Sequence, residues 1–190
     1  MAAKPRATPL QVCEHCRREF SSRARWCPHC NLAVGEPIRM HEEVAYGVTF
    51  RNDDGIERQE VLHRLARRPC DLELVREADN PRDPSAVGIF CRFGQLGYLG
   101  RDLASSVAET IDAGCGATAL LAGIEDISAH GYDDGTLGVR IVVLQHAPDV
   151  GREELETYAA TNSRRWQYVA RATKRASGLR RLLDRWLGNA

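Results

Sequence analysis

Two C-x-x-C pairs, Cys13-Glu14-His15-Cys16 and Cys27-Pro28-His29-Cys30, constrain this chain more tightly than any other feature. Two thiolates two residues apart converge on one cation from a tight knuckle, and two knuckles supply the four sulfurs of a tetrahedral zinc. The intervening Arg17–Trp26 is long enough for a short hairpin, with Phe20 and Trp26 as the large apolar groups for a miniature core. So small a unit does not fold on burial alone, so metal binding is expected to stabilise it. Two disulfides fit poorly with a chain expected in the cytoplasm, and a redox motif would have one pair beside a βαβ pattern. The expected cofactor is therefore a structural Zn2+ on Cys13, Cys16, Cys27 and Cys30. Four sulfurs leave no open coordination position, so a catalytic metal is not expected. His15 and His29 are expected to face solvent, and Cys70, Cys91 and Cys115 to be small buried apolar groups.

The chain has 190 residues and a formal net charge of zero, but the charge is unevenly spread. Residues 1–40 carry +4, residues 41–150 carry −9 and residues 151–190 carry +5. An acidic middle between basic ends points to modules with different tasks. Residues 1–12 have no apolar run of the kind that marks a secretory signal, and no segment approaches a membrane span. A cytoplasmic location and no membrane span follow as expectations.

The middle reads as short strands with two helices. Glu43–Phe50 alternates, Glu57–Leu65 has helical spacing, and Leu72–Arg76, Ala86–Phe93 and Gln95–Leu99 read as strands. Leu103–Asp112 reads as a helix capped by Asp102, and Ala117–Ile127 and Leu137–Val143 as two more strands. Six short strands without βαβ alternation predict an α+β fold built on a small β-barrel. The expected modules are 1–36, a linker at 37–42, the barrel at 43–146 and a basic helical arm at 149–188.

Between two of these strands lies Asp79-Asn80-Pro81-Arg82-Asp83-Pro84, followed by Gly97-Tyr98-Leu99-Gly100-Arg101. Two prolines fix φ and stiffen the loop, which presents Asn80, Arg82 and Asp83 in a set geometry. The Asn-Pro-x-Asp and Gly-Tyr-Leu-x-Arg combination, with Gly47–Asn52 and Gly55–Glu60 upstream, resembles the HIRAN domain over about residues 43–146. The cysteine module resembles a zinc ribbon.

The HIRAN resemblance implies an OB-like barrel whose pocket binds a single-stranded DNA 3′ end, and a role at damaged DNA or stalled forks. On the matching positions the implied DNA-binding residues are Arg51, Asn80, Asp83, Tyr98 and Arg101, with Arg82 where the family has tyrosine. Arginines suit phosphate, Tyr98 offers a stacking face, and Asp83 can accept a bond from a terminal sugar hydroxyl. Each also has a plainer reading: Asn80 and Asp83 as turn-holding residues, Tyr98 as a barrel residue, Arg51 and Arg101 as partners of surface carboxylates.

Residues 149–188 read as a basic amphipathic helix, with acids at its start and eight basic residues from Arg164 to Arg185. Its apolar stripe either docks on the acidic barrel or meets nucleic acid, a membrane surface or a protein. The chain has no Walker loop, H-E-x-x-H or nucleophile elbow, so an enzyme is not expected. Two readings of function remain. One is a non-catalytic accessory protein that binds single-stranded DNA or its 3′ end. The other is an adaptor that holds a protein partner with the barrel groove and the basic helix. Oligomeric state is not legible.

Overall fold

The structure is a computed structural model, and it describes residues 9–163. The C-terminal arm beyond residue 163 lies outside the described residues. β1 (Leu10–Val12) and β2 (Glu19–Ser21) form an antiparallel ribbon that brackets the first cysteine knuckle. The central module follows with β3 (Ile38–Val44), α1 (Arg58–Arg67), β4 (Leu72–Arg76), β5 (Val87–Cys91), β6 (Gly94–Tyr98), α2 (Arg101–Asp112), β7 (Gly116–Asp126) and β8 (Leu137–His146). α3 (Arg152–Asn162) closes the described chain.

The six central strands make two antiparallel sheets, β3-β8-β7 and β4-β5-β6. The sheets meet edge to edge just past the end of β3, where Tyr46 and Tyr98 exchange both backbone hydrogen bonds at 2.9 and 3.0 Å. Elsewhere β4 lies against β7. The result is an α+β fold whose strands wrap one core, without a closed hydrogen-bonded barrel among the described residues. That core takes Val61, Leu62 and Leu65 from α1, Ile89 and Leu96 from β5 and β6, and Val107 from α2. All six are fully buried, each contributing about 1.5–3 kcal/mol by its removal from water.

β8 explains why its sequence is an unbroken apolar run. Val139, Ile141 and Val143 point into the main core, while Val142 and Leu144 on the opposite pleat face a second cluster with Ile38 and Leu120. Leu155 and Ala159 of α3, four residues apart, cover that second face. This part of the C-terminal arm therefore docks on the sheet, with Arg152 paired to Asp71 at 2.6 Å.

Two boundaries differ from the sequence expectation. Residues 38–42, expected to be linker, form most of β3 and pair in register from Ile38↔His146 to Val44↔Arg140. Their mixed polarity hides the strand, because only Ile38 is buried and the others line a partly exposed edge. α2 begins at Arg101 on a Gly100 cap, and Asp102 sits in the first turn without a side-chain cap bond. There its charge still favours the positive helix end.

The cysteine module and the central module share one seam. Thr110 of α2 is fully buried and donates to the Cys30 carbonyl at 2.8 Å. Asn31 Nδ2 donates to the Ser106 carbonyl at 3.1 Å and to Glu109 at 2.8 Å. Cys115 and Ala147 pack among Cys13, Cys27 and Cys30. Gln145, also fully buried, ties α2 to the sheet: its Nε2 donates to Ser106 and Thr110, and its Oε1 accepts from His41 Nε2 at 3.0 Å.

Candidate functional site

The two knuckles are built alike. Cys13 N–H donates to the Arg18 carbonyl at 2.9 Å, and Arg17 N–H to the Cys13 carbonyl at 3.0 Å. In the second knuckle Cys27 N–H donates to Leu32 and Asn31 N–H to Cys27, both at 2.9 Å. The residue after each second cysteine takes a left-handed conformation, Arg17 with φ 63° and Asn31 with φ 59°. The histidines cross-brace the pair. His15 Nε2 donates to the Ala33 carbonyl at 3.3 Å, and His29 Nε2 to the Glu19 carbonyl at 3.2 Å. Each acceptor lies three residues beyond the second cysteine of the opposite knuckle. The expected solvent exposure is thus corrected for His15, whose side chain is 9% exposed, while His29 is half-buried.

The four sulfurs lie within 4.8 Å of one another, with Cys13–Cys30 at 3.7 Å and Cys16–Cys27 at 3.6 Å. A tetrahedron of sulfurs about 2.3 Å from a zinc ion has edges of about 3.8 Å, so the donor set fits. All seven cysteines are free thiols. Burial pushes the Cys13 thiol up, but the N–H groups of Cys16 and His15 outweigh it and hold the thiol below its ordinary value. Burial raises Cys30 and takes Cys16 to about 11. These residues could hold one structural metal ion, which would join the knuckles through all four sulfurs. Of the other cysteines only Cys115 is buried, while Cys70 and Cys91 are half-buried against the core. Phe20 fills the small core as expected, whereas Trp26 stands 47% exposed.

The second candidate site gathers around the Asn80 loop. Asn80 Oδ1 accepts from Arg82 N–H at 3.0 Å and Asp83 N–H at 3.3 Å. Its Nδ2 donates to Glu77 Oε2 at 2.8 Å, and the same oxygen accepts the Tyr98 hydroxyl at 3.1 Å. Asn80 therefore holds the turn and ties it to β6. Asp83 Oδ1 caps Ser85 N–H at 2.9 Å, leaving Oδ2 to face Arg101 Nε at 3.7 Å. The Arg101 side chain is 83% exposed. Arg82 is exposed at the loop surface.

Arg51 is not brought to this group. It is exposed and paired with Glu57. Arg58 takes the place beside Tyr98, and sequence reasoning missed it. Although only 5% exposed, Arg58 meets no carboxylate: it donates to Asn52 Oδ1 at 2.7 Å, the Gly47 carbonyl at 3.0 Å and Gln95 Oε1 at 2.9 Å. Its guanidinium lies 5.0 Å from the Tyr98 ring centre and 6.0 Å from that of Phe50, a geometry in which ring faces stabilise a buried cation. Gly47 takes a left-handed φ of +69°, and a Cβ there would sit 3.1 Å from Arg58 Nη1 and 3.2 Å from the Phe50 ring, so those side chains would have to shift.

Tyr98 offers less stacking surface than the sequence suggested, since Arg58 covers a face and Glu77 holds the hydroxyl. Exposed aromatic surface comes instead from Phe50, 60% exposed, and Tyr46, 53% exposed. Tyr46 lies over Gly100, and its backbone passes so close to Gly97 that a Cβ there would sit 2.4 Å from the Tyr46 carbonyl oxygen. The glycines of the Gly-Tyr-Leu-Gly step thus make room for this aromatic. The alternation of Val44, Tyr46, Val48 and Phe50 puts Tyr46 and Phe50 on the apolar face of a strand Glu43–Phe50, but β3 ends at Val44 and both rings are exposed.

Among the described residues no helix is long and apolar enough to cross a membrane. No curated protein matches the chain. Two solved structures resemble it. A protein from Lactobacillus plantarum is 16% identical, with a TM-score of 0.43 over 58% of this chain and 98% of that one. The HIRAN domain of human HLTF is 14% identical, with a TM-score of 0.34 over 70% of this chain and 88% of that one. The family model of the HIRAN domain matches residues 45–127, which begin beside Tyr46, contain the Asn80 loop and end just past β7.

Proposed function

We propose that the protein is a non-catalytic nucleic-acid-binding accessory protein whose HIRAN domain holds a single-stranded DNA 3′ end, with a structural zinc in the ribbon. A HIRAN domain supports a nucleic-acid-binding role. The observation that carries the finer reading is the pairing of Asp83 and Arg101 at 3.7 Å, with the exposed Tyr46 ring lying over the adjacent Gly100. A carboxylate oxygen suits a terminal hydroxyl, an exposed guanidinium suits the last phosphate, and an aromatic face suits a base. The −9 charge of residues 41–150 repels a long backbone, which favours recognition of an end over binding along a strand. Damaged DNA and stalled forks are the settings in which such ends arise.

Titration of matched oligonucleotides with free and phosphate-blocked 3′ ends tests this. The free end is expected to bind about tenfold tighter or more, the worth of one hydrogen bond to a charged group. Equal affinities would sink the end-binding reading. The adaptor reading is favoured by the exposed Leu10 and Val12 of the short edge strand β1 and by Val34. A protein partner retained after nuclease treatment, with no oligonucleotide bound, would select it.

A further inference from the structure

We propose that the ribbon carries a second contact for single-stranded nucleic acid, centred on Trp26. This rests on the nucleic-acid reading but not on recognition of a 3′ end. Trp26 is large, apolar and 47% exposed, and the small core of the ribbon is complete without it, being filled by Phe20, Leu32 and the cysteines. Its place is rigid: it bridges Ala33, and the Arg25 carbonyl next to it accepts Val34 N–H at 3.0 Å. One ring face is covered by the Arg39 guanidinium, 4.9 Å from the ring centre, which is itself fixed by donation to the Asn31 carbonyl at 3.3 Å.

The surrounding charge chooses the partner. Arg23 and Arg25 are exposed beside Trp26. Among the described residues neither they nor Arg17, Arg18 and Arg39 form an ion pair with a carboxylate. Residues 1–40 carry a net +4, against −9 for the module that follows. An aromatic ring backed by one guanidinium and flanked by unpaired arginines fits a stacked base with phosphates on either side. An acidic peptide would leave the ring without a stacking partner.

The contact is separate from the Asn80 loop. β3 leads from Arg39 to the bridge at Tyr46, and its seven residue steps span about 23 Å at about 3.3 Å each. A strand anchored by its end beside Tyr98 needs about seven nucleotides, at a stacked rise of about 3.4 Å, to reach Trp26.

The test uses the zinc-loaded full chain with oligothymidylates of four and twelve nucleotides. Trp26→Ala is expected to weaken the twelve-mer about tenfold, within the range for one lost base stack, and to leave the four-mer with a free 3′ end unchanged. Trp26→Phe, which keeps an aromatic face, restores most of the loss and separates stacking from misfolding. With Trp166 and Trp186 replaced by phenylalanine, the fluorescence of the remaining Trp26 is expected to be quenched by the twelve-mer. Unchanged twelve-mer affinity in Trp26→Ala, or unquenched fluorescence at saturation, overturns the proposal. Blocking the 3′ end removes any end preference but not the Trp26 effect, so failure of end recognition and failure of this contact give different results.

Discussion

The ribbon and the Asn80 pocket are both held in shape by polar contacts, yet they are assembled in opposite ways. Each knuckle of the ribbon closes on itself within a few residues of its cysteines, and the second repeats the first down to the left-handed residue and the bracing histidine. The pocket repeats nothing. It draws on Gly47, Asn52, Arg58, Glu77, Asn80, Gln95 and Tyr98 from four separate stretches of chain. A metal ion on the four sulfurs would concentrate the ribbon's stability in one centre, whereas the pocket spreads its stability over many modest hydrogen bonds.

The largest effect that separates the two regions is metal removal. Zinc binding is worth about 10–16 kcal/mol in small zinc-held peptides, so a chelator or Cys30→Ser is expected to unfold the ribbon. Hydrogen exchange should then show lost protection at Cys13, Cys27 and Asn31, with β5 and β8 still protected by their own core. Protection kept at all three amides would mean that the ribbon stands without metal, and the contrast would collapse.

Arg58→Met is the matching blow to the pocket. It leaves three acceptors without their donor and removes the cation between Phe50 and Tyr98. The expected cost is about 3 kcal/mol, read as a lower urea midpoint with zinc content unchanged. A loss below about 0.5 kcal/mol would show that the buried guanidinium is no keystone.

The smallest effect concerns the seam. Burial, reinforced by the charge of Arg39, holds His41 below its ordinary 6.5, so the folded protein resists its protonation. The unfolded chain takes up the proton first as pH falls. The His41 contribution is therefore complete above pH 6.5 and declines below it, towards the lower folded value. Urea midpoints between pH 7 and 5 check this, with His41→Gln expected to be flatter than the native protein across the same interval.

How far each region was legible follows from the same contrast. Cysteine spacing specifies a knuckle because its bonds are local, and the Asn-Pro-x-Asp loop was legible for that reason too: Asn80 and Asp83 cap neighbours two or three residues away. The strands from β4 to β8 were visible as apolar runs with turn residues between them. Arg58 reads as an ordinary helix-surface arginine, because its burial depends on Gln95 from a distant strand. Arg51 was expected in the pocket because nothing local reveals that the turn at residues 52–55 folds Glu57 back onto it. Trp26 was expected inside because a large apolar residue in a small unit ordinarily is, but Leu32 of the second knuckle and Cys115 from across the seam fill that space.

The seam between Cys30 and Thr110 has a practical consequence for anyone who divides this chain. The two modules are consecutive in sequence but interlocked in space, so a fragment starting at residue 37 would not be a clean domain. It would bare Cys115 and Ala147, strip Thr110 of its carbonyl partner, and present a newly accessible thiol to other molecules. Such a fragment is expected to aggregate or cross-link under air, and its behaviour would report on the cut rather than on the central module.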